Sequence, residues 1–292
     1  MAIAEPYLPP PPTRGVRAMR PVRALSTSLS PGEIAGLSLF ALLVVAALLA
    51  PVLAPHPPTT PSGQPFTPPF HAGALLGTDE VGLDIFSRVL YGLRASVIAS
   101  FAVIASGVIV GGVIGLVAGV ANPFVDNVLM RITDLFLALP GPILAIAVVA
   151  ALGPGFSHTL LGVALVWWPF YARIVRAEVR ALSARPHLEA ARLAGAGRAR
   201  RALRHLLPGA LPAIVVTASL DVGNLVVALS SLSFLGLGAP APAPELGAMA
   251  ARGLQYLLQE WWVPIVPGFA VFLLALAANL AGDAFRTLFG DR

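Results

Sequence analysis

Few side chains in this sequence have the types and spacing that chemistry requires, and the first is Asp221, followed by Asn224, inside an apolar stretch. Residues three apart share a helical face. An acid in hydrocarbon costs about 2.5–3.5 kcal/mol or more, so it marks a cavity, a subunit interface or a hydrogen bond to a neighbouring helix. Ser230, Ser231 and Ser233 come next, with hydroxyls that either line a passage or bond back to their own helix. A second set lies in a polar connection. It reads Glu189-Ala190-Ala191-Arg192, then Gly195, then, after a basic run from Arg198 to Arg204, Leu207-Pro208. Pro186 suits a first helical turn, Gly195 and Gly197 end or turn the helix, and Pro208 is read as stopping a second, basic helix. Such a helix–turn–helix is too polar for lipid and is shaped to be gripped by another protein. Glu189 is the expected contact, with Ala190 and Ala191 small enough to let the helix enter a groove.

Enzymatic chemistry finds little support. There is no cysteine and no nucleophile–base set or carboxylate pair in a plausible site. His56, His71, His158, His187 and His205 are scattered and lack metal-ligand spacing. All 19 basic residues are arginine. The phosphate-binding loop of an ATPase needs a lysine, so any ATP and magnesium belong on another chain.

The elements that must hold these residues are membrane helices. The chain is 57% hydrophobic and 11% charged, against about 25% charged in an ordinary soluble domain. Stretches of roughly 20 apolar residues span a bilayer, and candidates fall at about 33–54, 93–120, 127–152, 159–180, 206–237 and 263–287. Arginines concentrate in the N-terminal tail and between 180 and 204, which places both termini and that loop in the cytoplasm. Residues 1–32, with Pro9 to Pro12 and four arginines, read as a disordered basic tail. Residues 33–92 form the first span and an outer segment, with an amphipathic interfacial helix expected after Asp84. Residues 93–292 form the core, with the polar loop at 181–208. Gly107, Gly111 and Gly115 make a small-residue ladder for close helix contact. Arg131 and Asp134 are expected to pair within one helix, and Arg173, Arg176 and Arg180 to anchor the fourth span.

The Glu189 to Pro208 pattern resembles the loop by which permeases of ABC importers dock on their ATPases. Further segments are similar to the C-type permease of dipeptide and oligopeptide importers, including nickel-importing relatives. They are Leu76-Gly77-Thr78-Asp79, Val125-Asp126-Asn127-Val128-Leu129-Met130-Arg131, Tyr171-Ala172-Arg173-Ile174-Val175-Arg176, Leu232-Ser233-Phe234-Leu235-Gly236-Leu237-Gly238 and Asn279-Leu280-Ala281-Gly282-Asp283. Departures stand at Leu83, where arginine is usual, Leu246 (tryptophan), Gly209 (asparagine) and near Leu229 (an acid); the first two are expected to leave the outer surface less polar or aromatic.

The resemblance implies an all-α, six-span permease of the type I ABC-importer fold in a prokaryotic cytoplasmic membrane. It implies a heterodimer with a homologous permease, two ATPase subunits or domains and an extracytoplasmic substrate-binding protein. Coupling would fall to Glu189, Ala190, Ala191, Arg192, Gly195, Leu207 and Pro208. Asp221, Asn224 and Ser230 would lie along the pathway or the subunit interface. The cargo would be di- or oligopeptides, or alternatively nickel or another small solute. The rival of another class is an ion-coupled secondary transporter using Asp221.

Overall fold

A computed structural model of the chain describes residues 29–289, so most of the tail read at 1–32 lies outside the described residues. The first helix, α1 (Pro31–Leu48), starts at a capping box: Ser30 Oγ accepts from Glu33 N–H, and the Glu33 carboxylate accepts from Ser30 N–H at 2.6 Å. Glu33 also accepts from Thr287 Oγ1 at 2.6 Å, tying this end to the last helix. A short helix, α2 (Ala50–Leu53), leads into an extended loop and then α3 (Ile85–Val120).

Asp84 caps α3 by accepting from the backbone and side chain of Ser87. The amphipathic helix expected after Asp84 is therefore not separate; it is the first turns of the second span. Its polar residues, Ser87 and Arg88, turn inward because the 55–84 loop folds over them and supplies their partners. Leu76-Gly77-Thr78-Asp79 organises that loop. The Thr78 hydroxyl donates to Gln64 C=O and accepts from Thr67 N–H, and Asp79 accepts from Val81 and Leu83 N–H.

The third span departs from its expected form. It consists of α4 (Pro123–Ala138) and α5 (Gly141–Leu152), bent by 85°. Pro140-Gly141-Pro142 sits at the break: the two prolines lack the N–H groups that would carry one helix through, and their rings would clash with its preceding turn. The next helix, α6 (Phe156–Ser183), receives α4 through ion pairs. Asp126 meets Arg176 and Arg180, and Asp134 meets Arg173 at 2.6 Å. The pairing expected between Arg131 and Asp134 is not formed, because Arg173 reaches across to the same carboxylate. The three arginines of α6 thus bind a neighbouring helix rather than serving only as membrane anchors.

Beyond it lie α7 (Pro186–Leu193) and α8 (Arg198–Arg201), which runs through a π-turn at 202–206 into α9 (Leu207–Leu232). Pro208 was expected to stop a helix, yet it stands in the first turn of α9. The wide turn, with Leu207 N–H bonded to Ala202 C=O, accommodates the proline that an α-turn would reject. A short inserted helix, α10 (Leu246–Gly253), precedes α11 (Trp262–Phe289). Glu245 caps α10 through Gly247 and Ala248 N–H; its burial raises its pKa, while Ser233 and these amides oppose the shift. Leu83 and Leu246 are 3% and 0% exposed, so these departures alter the core and not the outer surface, contrary to expectation.

Among the described residues, five helices are long and apolar enough to cross a membrane, or six if the bent α4–α5 pair is one span. The most extensive packing joins α3 to α6, along the glycine ladder. A Cβ at Gly111 would lie 2.3 Å from Trp168 O and 2.8 Å from Ala172 N. Gly111→Val is therefore expected to destabilise the fold by about 3 kcal/mol or more, read as a lower unfolding temperature of the purified protein. An unchanged temperature would mean that this contact is not formed.

Candidate functional site

The loop between α6 and α9 is built around one buried leucine. Leu188 is 3% exposed and packs with Val179, Leu182, Leu206, Ala210 and Ile214, seating α7 on the ends of the spans. The opposite side of α7 is open. Ala190 is exposed there, the Glu189 side chain is 57% exposed and Leu193 is 82% exposed; Arg192, one turn from Leu188, has a side chain 66% exposed. Glu189 lies 3.8 Å from Arg192 and makes no hydrogen bond to the amides of its own helix. An exposed pair of this kind contributes about 0–1 kcal/mol. Its carboxylate is thus nearly uncommitted.

Gly195 ends the helix with φ +82°, and Ala196 N–H bonds back to Ala191 C=O at 3.0 Å. Only glycine takes that left-handed turn without strain, and the pattern is a Schellman-type stop. The turn leads into Arg198, Arg200, Arg201 and Arg204, none of which forms an ion pair among the described residues. Leu207 is half-buried and Pro208 exposed at the start of α9. They carry the chain into the membrane span, and the outward face of α7 is formed without them.

Leu193 was not singled out from the sequence, although a signal was there. Five residues separate it from Leu188, about 140° around a helix. If one leucine faces the core, the other faces out.

The second set is divided by the structure. Asp221 accepts from Tyr171 Oη at 2.8 Å and from Trp167 Nε1 at 3.2 Å. Tyr171 and Trp167 are one turn apart on α6, so the acid locks α9 to α6. Asn224 stays with Asp221, its side chain interacting with the same carboxylate, and is exposed on an outward stripe with Val227, Ser231 and Phe234. Ser231 Oγ bonds back to Val227 C=O at 2.7 Å. Ser230 is 7% exposed and lies inside the subunit beneath Gly247, away from that stripe. No three His, Cys, Asp or Glu side chains gather into a metal-binding group among the described residues, and His71 Nδ1 instead meets Pro69 C=O at 2.9 Å.

Residues 111–292 match the family described as "Binding-protein-dependent transport system inner membrane component". The chain is 37% identical over 259 residues to the probable D,D-dipeptide transport system permease protein DdpC of Escherichia coli, covering 89% of this chain and 87% of that one. It is 38% identical over 261 residues to the di/tripeptide transport system permease protein DppC of Pseudomonas aeruginosa, covering 87% and 86%. It is 42% identical over 211 residues to the glutathione transport system permease protein GsiD of Pectobacterium atrosepticum, covering 72% and 70%.

Proposed function

The chain belongs to the family of binding-protein-dependent transport system inner membrane components, and on that premise we propose that it forms half of the translocation pathway of an ATP-driven importer of small peptides. It is a transport permease and not an enzyme. The relatives are named for a D,D-dipeptide, for di- and tripeptides and for glutathione. These cargoes share a short peptide backbone and differ in side chains, which supports the peptide class and leaves the individual solute to a substrate-binding protein outside the membrane.

The partners in this reading are a homologous second permease, two cytoplasmic ATPase subunits or domains carrying ATP and magnesium, and that binding protein. The arginine-rich end, with both termini, faces the cytoplasm, in keeping with the charge bias of the loops. The observation that carries the coupling role is the outward face of α7. Leu193, Ala190 and Glu189 stand exposed there on a helix seated by Leu188 and closed by Gly195. An exposed leucine flanked by a small residue and a nearly uncommitted carboxylate suits a groove on a partner. ATP binding would draw the two docking loops together and turn the cavity outward, and hydrolysis would reset it. Asn224 and its stripe would face the cavity or the second permease. Asp221 would position α9, and Ser230 would support the same helix from within.

The test is uptake of a labelled dipeptide by proteoliposomes holding the complete system. Uptake is expected to require ATP on the ATPase side and to survive collapse of the proton gradient. Uptake driven by an ion gradient without ATP would overturn the reading and return attention to Asp221.

A further inference from the structure

On the membrane side of α7 lies a cavity of about 220 Å³. Val120, Leu188 and Leu206 form its apolar wall, and Ser183, Arg198 and Arg201 supply its polar side. Three features bear on what it holds. No carboxylate lines it, so two guanidinium groups share the cavity without a counter-charge. Arg201 Nε is enclosed and has no hydrogen-bond partner. A buried donor left unmatched is costly, and planar guanidinium groups match the oxygens of a phosphate well. The cavity also lies where the ends of α3, α6 and α9 converge, which in the proposed topology is the cytoplasmic boundary of the membrane.

We propose that this cavity binds the phosphodiester headgroup of an anionic membrane lipid, with Arg198 and Arg201 on the phosphate and the apolar wall against the glycerol and first acyl carbons. A lipid is favoured over the ATPase because the cavity faces away from the docking side of α7. Leu188 points into the cavity, whereas Leu193 and Glu189 face outward. Because Leu188 both seats α7 and walls the cavity, a bound headgroup steadies the platform that presents the docking face. The cavity and its unmatched guanidinium stand on this geometry; the choice of a lipid and the steadying of α7 rest on the proposed topology and docking role.

The test measures lipid and not transport, so it stands or falls apart from the importer reading. The transporter complex containing full-length wild type, Arg198→Gln/Arg201→Gln or Arg200→Gln is purified in mild detergent, and retained phosphatidylglycerol is quantified by mass spectrometry. Each lost arginine is expected to weaken binding about fivefold, so the double variant retains far less lipid. Arg200 does not line the cavity and its variant should match wild type. A second readout needs no variant: the wild-type complex should unfold at a higher temperature in nanodiscs containing phosphatidylglycerol than in phosphatidylcholine alone. Equal retention in the double variant, or equal stability in both lipids, would overturn the proposal. So would an equal stabilisation by inorganic phosphate in phosphatidylcholine, which would assign the site to a soluble anion. Loss of the ATPase with lipid retention intact would assign the two arginines to the partner and likewise overturn it.

Discussion

A Leu193→Glu chain is expected to insert and fold as wild type does, yet to lose its ATPase. The side chain is 82% exposed and seals no part of the core, so its replacement costs the fold little. At a partner's groove the cost is different. A central apolar anchor contributes about 2–4 kcal/mol to an interface, and burying an unpaired carboxylate in its place adds a penalty. Affinity for the ATPase should fall roughly thirtyfold or more, with ATP-driven uptake lost in proportion. Titrating purified ATPase onto the reconstituted permease measures this directly. Glu189→Arg should act in the same direction and more weakly, since it reverses one exposed charge without removing apolar contact. Undiminished affinity in Leu193→Glu would place the docking surface elsewhere on the loop.

The second large effect is structural and lies at the opposite end of the molecule. Arg88 is 2% exposed. Its Nη1 donates to Pro58 C=O at 3.0 Å and to Pro242 C=O at 3.1 Å, and its Nε lies 3.6 Å from the Asp79 carboxylate. One guanidinium thereby joins the start of α3 to the 55–84 loop and to the connection before α10. Arg88→Met leaves Asp79 and two carbonyls buried without it, and removing one partner of a buried ion pair costs about 3–5 kcal/mol. The expected result is a lower unfolding temperature, with proteolysis appearing first in the 55–84 loop. Arg88→Lys should recover only part of the loss, because a point charge does not reproduce the fork of donors. Wild-type stability in Arg88→Met would show that the loop is held by other contacts.

What the sequence revealed, and what it concealed, follows from the range of the interactions involved. Long apolar runs fix the membrane helices locally, so five spans and the polar loop could be placed from hydropathy alone. The glycine ladder was also visible, since a repeat every four residues defines one face of a helix. The bend between α4 and α5 was missed although Pro140-Gly141-Pro142 announced it; mean hydropathy stays high across the break and hides the stiffness of proline. Arg88 and the Asp134–Arg173 pair were invisible for another reason. The carbonyls that Arg88 binds lie 30 and 154 residues away, and the partner of Asp134 lies 39 away; no local spacing encodes such contacts. Asp221 was recognised as exceptional because charge in hydrocarbon is costly, but its partners on α6 emerged only from the packing of α9. Ser230 and Ser231 show the limit most plainly: of two adjacent hydroxyls with the same composition around them, one is buried and the other exposed.

The central claim, that α7 is the surface gripped by an ATPase, is open to a clean measurement because the chain has no cysteine of its own. A Leu193→Cys chain carries one thiol, to which a short photoactivatable cross-linker is attached in the assembled transporter. A Leu258→Cys chain, 93% exposed at that position near the opposite end, serves as the comparison. The account predicts a cross-link to the ATPase from position 193, changing in yield when ATP is added, and none from position 258. Absence of the ATPase from the products at 193, in a complex that still hydrolyses ATP during transport, would contradict it.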